Sequence, residues 1–173
     1  MAEQQTQQRH PSLISKKSME AMTRTSGSSR ALVHEIFLKV NNAKDKTKKI
    51  AVLKENDSAG LRQLCKAAFD PNIKFDLPEG TPPYMENEAP AGTQHTSLFD
   101  EANKLYVFIV GGNNQINRVR KEALFIQTLE NLHKDDAKAL ISIKNKSLNK
   151  VYKGLTESVV KEAFNWNDNF TRK

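Results

Sequence analysis

The stretch 96-TSLFDEANKLYVFIV-110 decides how this chain folds. Its last five residues are apolar and β-branched or aromatic, which on their own suit a buried strand. A helix accounts for more of it. Leu98, Phe99, Ala102, Leu105, Tyr106 and Ile109 recur at helical spacing. Thr96 stands where an N-cap belongs, and Gly111 of the "GGNN" that follows stands where a C-terminal cap belongs. A strand also needs a partner, and the patterns on both sides are helical. The helical reading makes this the central, most buried helix.

Working outward gives more helices. Upstream, "SRALVHEIFLKV" turns Val33, Ile36, Phe37 and Val40 to one face, with Ser29 as N-cap. A basic linker, "NNAKDKTKK", leads to a short helix around Ile50 and Leu53 that ends near Asn56. A third helix starts at Asp57, with Leu61, Leu64, Cys65, Ala68 and Phe69 inward. Downstream, "NQINRVRKEALFIQTLENLH" turns Ile116, Val119, Ala123, Ile126 and Leu129 inward. "KDDAKALISI" follows, with Asp135 near its positive N-terminus. Ser147 caps a short helix over "LNKVYK", Gly154 stops it, and Thr156 caps "ESVVKEAF". The expected fold is an all-α compact bundle of about seven or eight helices over 29–166.

Three segments stand apart. Residues 1–28 are polar, with scattered basic residues, and read as a flexible N-terminal arm. Residues 70–95 hold five prolines, which exclude helix over most of that span. Ile73, Phe75, Leu77 and Tyr84 are expected to pin this Pro-rich loop to the body. Residues 167–173 read as a C-terminal tail.

The net charge of +7 and a sequence pI near 9.5 favour nucleic acid or another anionic surface as partner. Cys65, the single cysteine, excludes an internal disulfide and a cysteine-based zinc site, and fits a reducing cytoplasm. Apolar runs are too short to span a bilayer, and the opening residues lack the apolar core of a secretory signal.

No catalytic motif is evident. "GGNN" lacks the spacing of a phosphate loop, and there is no Gly-x-Ser-x-Gly elbow. His10, His34, His95 and His133 are scattered singly, and no histidine pair has zinc-ligand spacing. Adjacent Asp135 and Asp136 face different ways and make a poor acid/base pair. The expectation is no catalytic residue, no metal site, no cofactor and no small-molecule substrate.

What stands out is two clusters of lysine. Lys39, Lys44, Lys46, Lys48, Lys49 and Lys54 lie around the first inter-helix turn. Lys138, Lys144, Lys146, Lys150 and Lys153 surround a second, closed by Gly154, Leu155 and Thr156. A solvated helix surface is one reading of such runs. The other is a phosphate grip, because free N–H groups at a helix start next to lysines suit an anion. Aromatics are not interleaved with the lysines, so backbone gripping of a duplex fits better than base stacking. No reading-head helix is evident, so little sequence specificity is expected.

Two segments carry a resemblance: "LVHEIFLKVNNAKDKTKKIAVLKEN" and "LFIQTLENLHKDDAKALISIKNKSLNKVYKGLTESVVKEAF". Together they resemble the N-terminal DNA-binding domain of ATP-dependent DNA ligases, over residues 30–166. "KFDLPEGTPPY" and "YKGLTESVVKEAF" resemble a family of uncharacterised small proteins of T4-like and cyanophage-type tailed phages. The ligase resemblance implies an all-α domain that grips the minor groove and backbone on both sides of a nick. It carries a phosphate-contacting turn onto Lys150, Lys153, Gly154, Leu155 and Thr156, and a Lys-rich turn onto Lys44, Lys46 and Lys48. Lys146 joins the second turn by its charge. The chain departs from ligases in two ways. Asn149 and Lys150 stand near where an arginine is common, and lysine is a point charge rather than a bidentate fork. The Lys-x-Asp-Gly motif of nucleotidyl transfer is absent, so the chain is not expected to ligate.

The implied protein is a non-catalytic phage accessory factor that binds duplex DNA. The alternative is a virion or host-takeover component that uses the same scaffold to contact a phage replication, virion or host protein. It is expected in the host cytoplasm during infection, or carried in the virion.

Overall fold

The first helix, α1 (Val33–Asn42), buries Val33, Ile36, Phe37 and Val40, the face its spacing predicts. The computed structural model describes residues 30–173, so the expected arm over 1–28 and the Ser29 cap lie outside the described residues. Leu32 occupies the N-cap position and offers no side-chain acceptor. The exposed N–H groups of a helix start need partners from elsewhere. Glu35 accepts from the Leu32 N–H at 3.0 Å, and Asp136, far along the chain, accepts from the His34 N–H at 2.9 Å.

The second helix, α2 (Lys46–Glu55), begins inside the stretch read as a basic linker. The Asp45 carboxylate accepts from the Lys48 N–H at 2.8 Å and so starts the helix one turn early. In α3 (Ala59–Phe69) the cap is Ser58 rather than Asp57, which pairs instead with Arg62. Leu61, Leu64, Cys65 and Ala68 are buried as expected, and Phe69 is half-buried.

The 96–110 stretch is not one α-helix. Ser97, rather than Thr96, caps a single turn, α4 (Leu98–Glu101), and a 3-10 segment continues over Ala102–Phe108. Ala102, Leu105 and Phe108 are buried, a three-residue period that matches the tighter helix. Tyr106, expected inward, is exposed. Beyond it the chain does turn extended. Phe75 and Ile109 form an isolated antiparallel bridge, with Asp76 N–H to Phe108 O at 2.7 Å and Val110 N–H to Lys74 O at 2.8 Å. The strand-like tail thus finds a partner in the Pro-rich segment.

Helix α5 (Arg118–Asn131) is capped by Asn117 and buries Lys121, Phe125 and Leu129. Val119 and Ala123, expected inward, are exposed. The reason is Lys121. Its stem belongs to the core and its ammonium meets Asp76 at 3.0 Å, which turns the apolar face away from the one that hydrophobic residues alone mark.

The most buried helix is α6 (Lys134–Lys144), which packs against α1, α3, α4, α5 and α7 (Leu148–Val151). The last helix, α8 (Glu157–Phe164), is capped by Thr156 and packs on α2 and α3. Among the described residues the fold is all-α, with eight α-helices and one 3-10 segment around one core. No helix there is long and apolar enough to cross a membrane.

The Pro-rich segment is pinned as its composition predicts. Leu77 is buried, and Ile73, Phe75 and Tyr84 are half-buried against the core. Lys144 ties it down further, donating to Pro78 O at 2.7 Å and Gly80 O at 2.8 Å. The segment read as a tail also docks. Phe170 is buried beside Trp166, which in turn lies against Phe164.

Candidate nucleic-acid interface

The two lysine-rich turns, distant in sequence, meet in space. The turn between α1 and α2 touches the turn between α7 and α8, where the Gly154 N–H donates to Asn41 Oδ1 at 2.8 Å. The approach is close enough to require glycine. A Cβ at Gly154 would lie 2.9 Å from Asn41 O and 2.6 Å from Lys49 Nζ. Gly154→Ala should therefore cost about 1–2 kcal/mol by overpacking. Urea unfolding of the variant measures this, and an unchanged midpoint would show that the turns separate easily.

The expected site residues divide by what their amines do. Lys44, Lys150 and Lys153 are exposed and have no acidic partner among the described residues. Lys48 is exposed, with only Asp45 at 3.8 Å. Exposed pairs of this kind are worth little, so these four amines remain available to an anion.

The others are engaged. Lys46 donates to Ser158 Oγ at 2.7 Å and Glu162 Oε1 at 2.6 Å, tying α2 to α8. Lys146 turns its ammonium onto the carbonyls of Ala67 and Asp70, at the end of α3. Burial lowers the Lys146 pKa, against the raising effect of Asp70. Lys49 caps the end of α1 in the same way, bonding Val40, Asn41 and Ala43 carbonyls at 2.7–3.2 Å. Lysine beside helix-end carbonyls is electrostatically favoured. These three amines hold helices together, and Lys46 and Lys146 leave the candidate anion site.

The Gly154 and Leu155 N–H groups, which precede the start of α8, are taken. Gly154 gives its proton to Asn41, and Leu155 donates to Tyr152 O at 2.9 Å. The Leu155 side chain is fully buried, and the Thr156 hydroxyl caps α8 by accepting from Val159 N–H at 3.4 Å. Glu157, in the first turn of α8, pairs with Lys161 and puts negative charge where a phosphate was expected. Gly154, Leu155 and Thr156 thus build the turn, and the lysines beside it carry the charge. Tyr152 is half-buried and edge-on to Phe37 at 5.6 Å, so it packs rather than stacks on a base.

Beside this face runs a groove of about 940 Å³. Lys74, Arg118, Lys144, Lys146 and Lys150 line it, with Glu79 as its acid. Lys74 is exposed and unpaired, and Arg118 has only Glu122 at 3.8 Å. Sequence reading missed both because Lys74 stands alone in the Pro-rich segment and Arg118 lies at the start of α5, far in sequence from both lysine-rich turns. The groove extends the free positive charge from Lys150 toward the Pro-rich segment.

Catalytic candidates do not gain from the fold. Cys65 is fully buried, and burial, with Asp57 adding to it, holds the thiol protonated. Asp136 is buried while Asp135 is partly exposed. The histidines are another matter. His34 and His133, read as isolated, stack at 4.9 Å. His34 titrates above the ordinary histidine value. Burial opposes the charged ring, but the Asp136 hydrogen bond and the carboxylates of Asp136, Asp135 and Glu35 outweigh it.

Fold and surface together define a compact all-α domain with one basic face and a basic groove. The chain belongs to a family of unknown function, DUF6433, whose model matches residues 36–150. That span includes Lys44, Lys48, Lys74, Arg118 and Lys150, and ends before the Gly154 turn. No curated protein and no solved structure matches the chain.

Proposed function

We propose that this protein is a non-catalytic accessory factor of a tailed phage that binds duplex DNA through its sugar-phosphate backbone, with little sequence specificity. One observation carries the proposal: two basic turns converge at Asn41 and Gly154 and leave the Lys44, Lys48, Lys150 and Lys153 amines facing solvent. Lysines act as point charges and hold phosphates without reading bases. Lys74 and Arg118 continue the charge along the groove. The resemblance to the ligase DNA-binding domain supports the same reading, with Gly154 inside the phosphate-contacting turn.

The test is fluorescence anisotropy of a labelled duplex against the full chain over a range of salt. Four phosphate contacts give a slope of log affinity against log salt of about −3 to −4. Scrambling the duplex sequence should leave the affinity unchanged. A slope near zero would remove the proposal.

A second reading rests on Met85, which is 79% exposed on the anchored Pro-rich segment. In that reading the anchored segment itself is the contact surface for a protein partner, such as a phage replication, virion or host protein. DNA binding that survives Met85→Ser would separate the two surfaces. The protein would act in the host cytoplasm or travel in the virion.

A further inference from the structure

We propose that His34, His133 and Asp135 form a binding site for a divalent transition-metal ion of the zinc class, joining the start of α1 to the start of α6. One ligand atom from each residue lies within 4.8 Å of the other two. A hydrogen bond sets the His34 ring for ligation, and a second one locates the lone pair of the His133 ring. The buried Asp136 carboxylate accepts from His34 Nδ1–H at 2.8 Å, which leaves the lone pair on Nε2. His133 Nδ1 accepts from the Asp135 N–H at 3.1 Å, so its lone pair is on Nδ1. Those two nitrogens lie 3.8 and 3.9 Å from the same oxygen, Asp135 Oδ2.

A carboxylate behind the non-ligating nitrogen of a histidine is the usual support of a metal ligand, and Asp136 provides it. Tetrahedral zinc, with bonds of about 2.0–2.1 Å, needs its ligand atoms about 3.3 Å apart. The nitrogen-to-carboxylate gaps must close by about half an ångström. Asp135 is partly exposed and free to swing, and the two rings must splay from their present 11° stack. His133 gives up one backbone hydrogen bond and gains a metal bond. The positive end of α6 opposes a cation, and Asp135, Asp136 and Glu35 offset it. The imidazole and carboxylate donors suit zinc, nickel or cobalt, whereas calcium prefers oxygen alone. The partly exposed Asp135 leaves room for water as a fourth ligand.

The experiment is a titration of the full chain with zinc chloride at about pH 7.5, in a buffer that does not bind the metal. Calorimetry reads the stoichiometry, and nitrogen NMR of the rings reads the ligands. The expected result is one ion per chain, with the His34 and His133 signals moving while His10 and His95 stay. Asp135→Asn should weaken zinc affinity about tenfold or more. Without metal the circular dichroism of that variant should match the parent and its melting temperature should stay within a few degrees, because the carboxylate makes no hydrogen bond and has only long contacts to the two rings. Unmoved His34 and His133 signals, or undiminished zinc binding by Asp135→Asn, would overturn the proposal.

Discussion

Replacing Asp136 with alanine should lower the unfolding free energy by about 3 kcal/mol, more than any other single substitution around the His34 cluster. The carboxylate is 1% exposed and accepts twice, from the His34 backbone N–H and from its ring. The first bond caps α1, a role worth about 1 kcal/mol. The second is charge-assisted, worth about 1.5–3 kcal/mol, and its loss strands a half-buried donor. For a domain of this size the melting temperature should fall by roughly 6–12 °C. Asp136→Asn, which keeps an acceptor, should lose less. Thermal melts of these variants beside Asp135→Ala give the comparison. Equal losses at 135 and 136 would mean that Asp136 does not cap α1.

The second large effect concerns binding. Changing Lys44, Lys150 and Lys153 together to glutamate should weaken duplex binding by on the order of a hundredfold or more at low salt. Three attractive charges become repulsive on one face, while no hydrogen bond of the fold is broken. The melting temperature should therefore stay within a degree or two, since exposed charges contribute little to stability. Reversal of Lys46 and Lys146 makes the contrast. Lys146 caps α3 while the Lys46–Glu162 pair is exposed, so that double variant should destabilise the fold chiefly through Lys146 and affect binding less directly. If the first triple variant bound DNA like the parent, the grip would lie elsewhere.

The division between tied and free lysines shows how far residue pattern reaches. Local signals were legible. The Thr156 cap, the inward face of α1 and the buried Cys65 all follow from neighbours within a turn or two, whereas Ser147 starts α7 without a side-chain cap and α7 ends at Val151, before Gly154. Position in three dimensions was not. Lys46 and Lys146 read like Lys44 and Lys150 until Glu162 and the Ala67 carbonyl come beside them. Lys121 reads as surface until Asp76 meets it in the core, and that shifts the face of α5. The 96–110 stretch failed for a different reason: apolar residues at three- and four-residue spacing fit an α-helix and a 3-10 turn almost equally. The His34–His133 pair has no local signal, because each ring sits at the start of a different helix and only packing brings them together. The meeting of the two basic turns was likewise beyond reach, although each turn was visible alone.

The most direct measurement is a binding titration of the full chain with intact and singly nicked duplex at about 50 mM and about 200 mM salt. Four backbone contacts should weaken binding about a hundredfold between those salts, by the same factor on both duplexes. Equal affinity at the two salts, or no binding to either duplex, would contradict a phosphate grip at the Asn41–Gly154 junction.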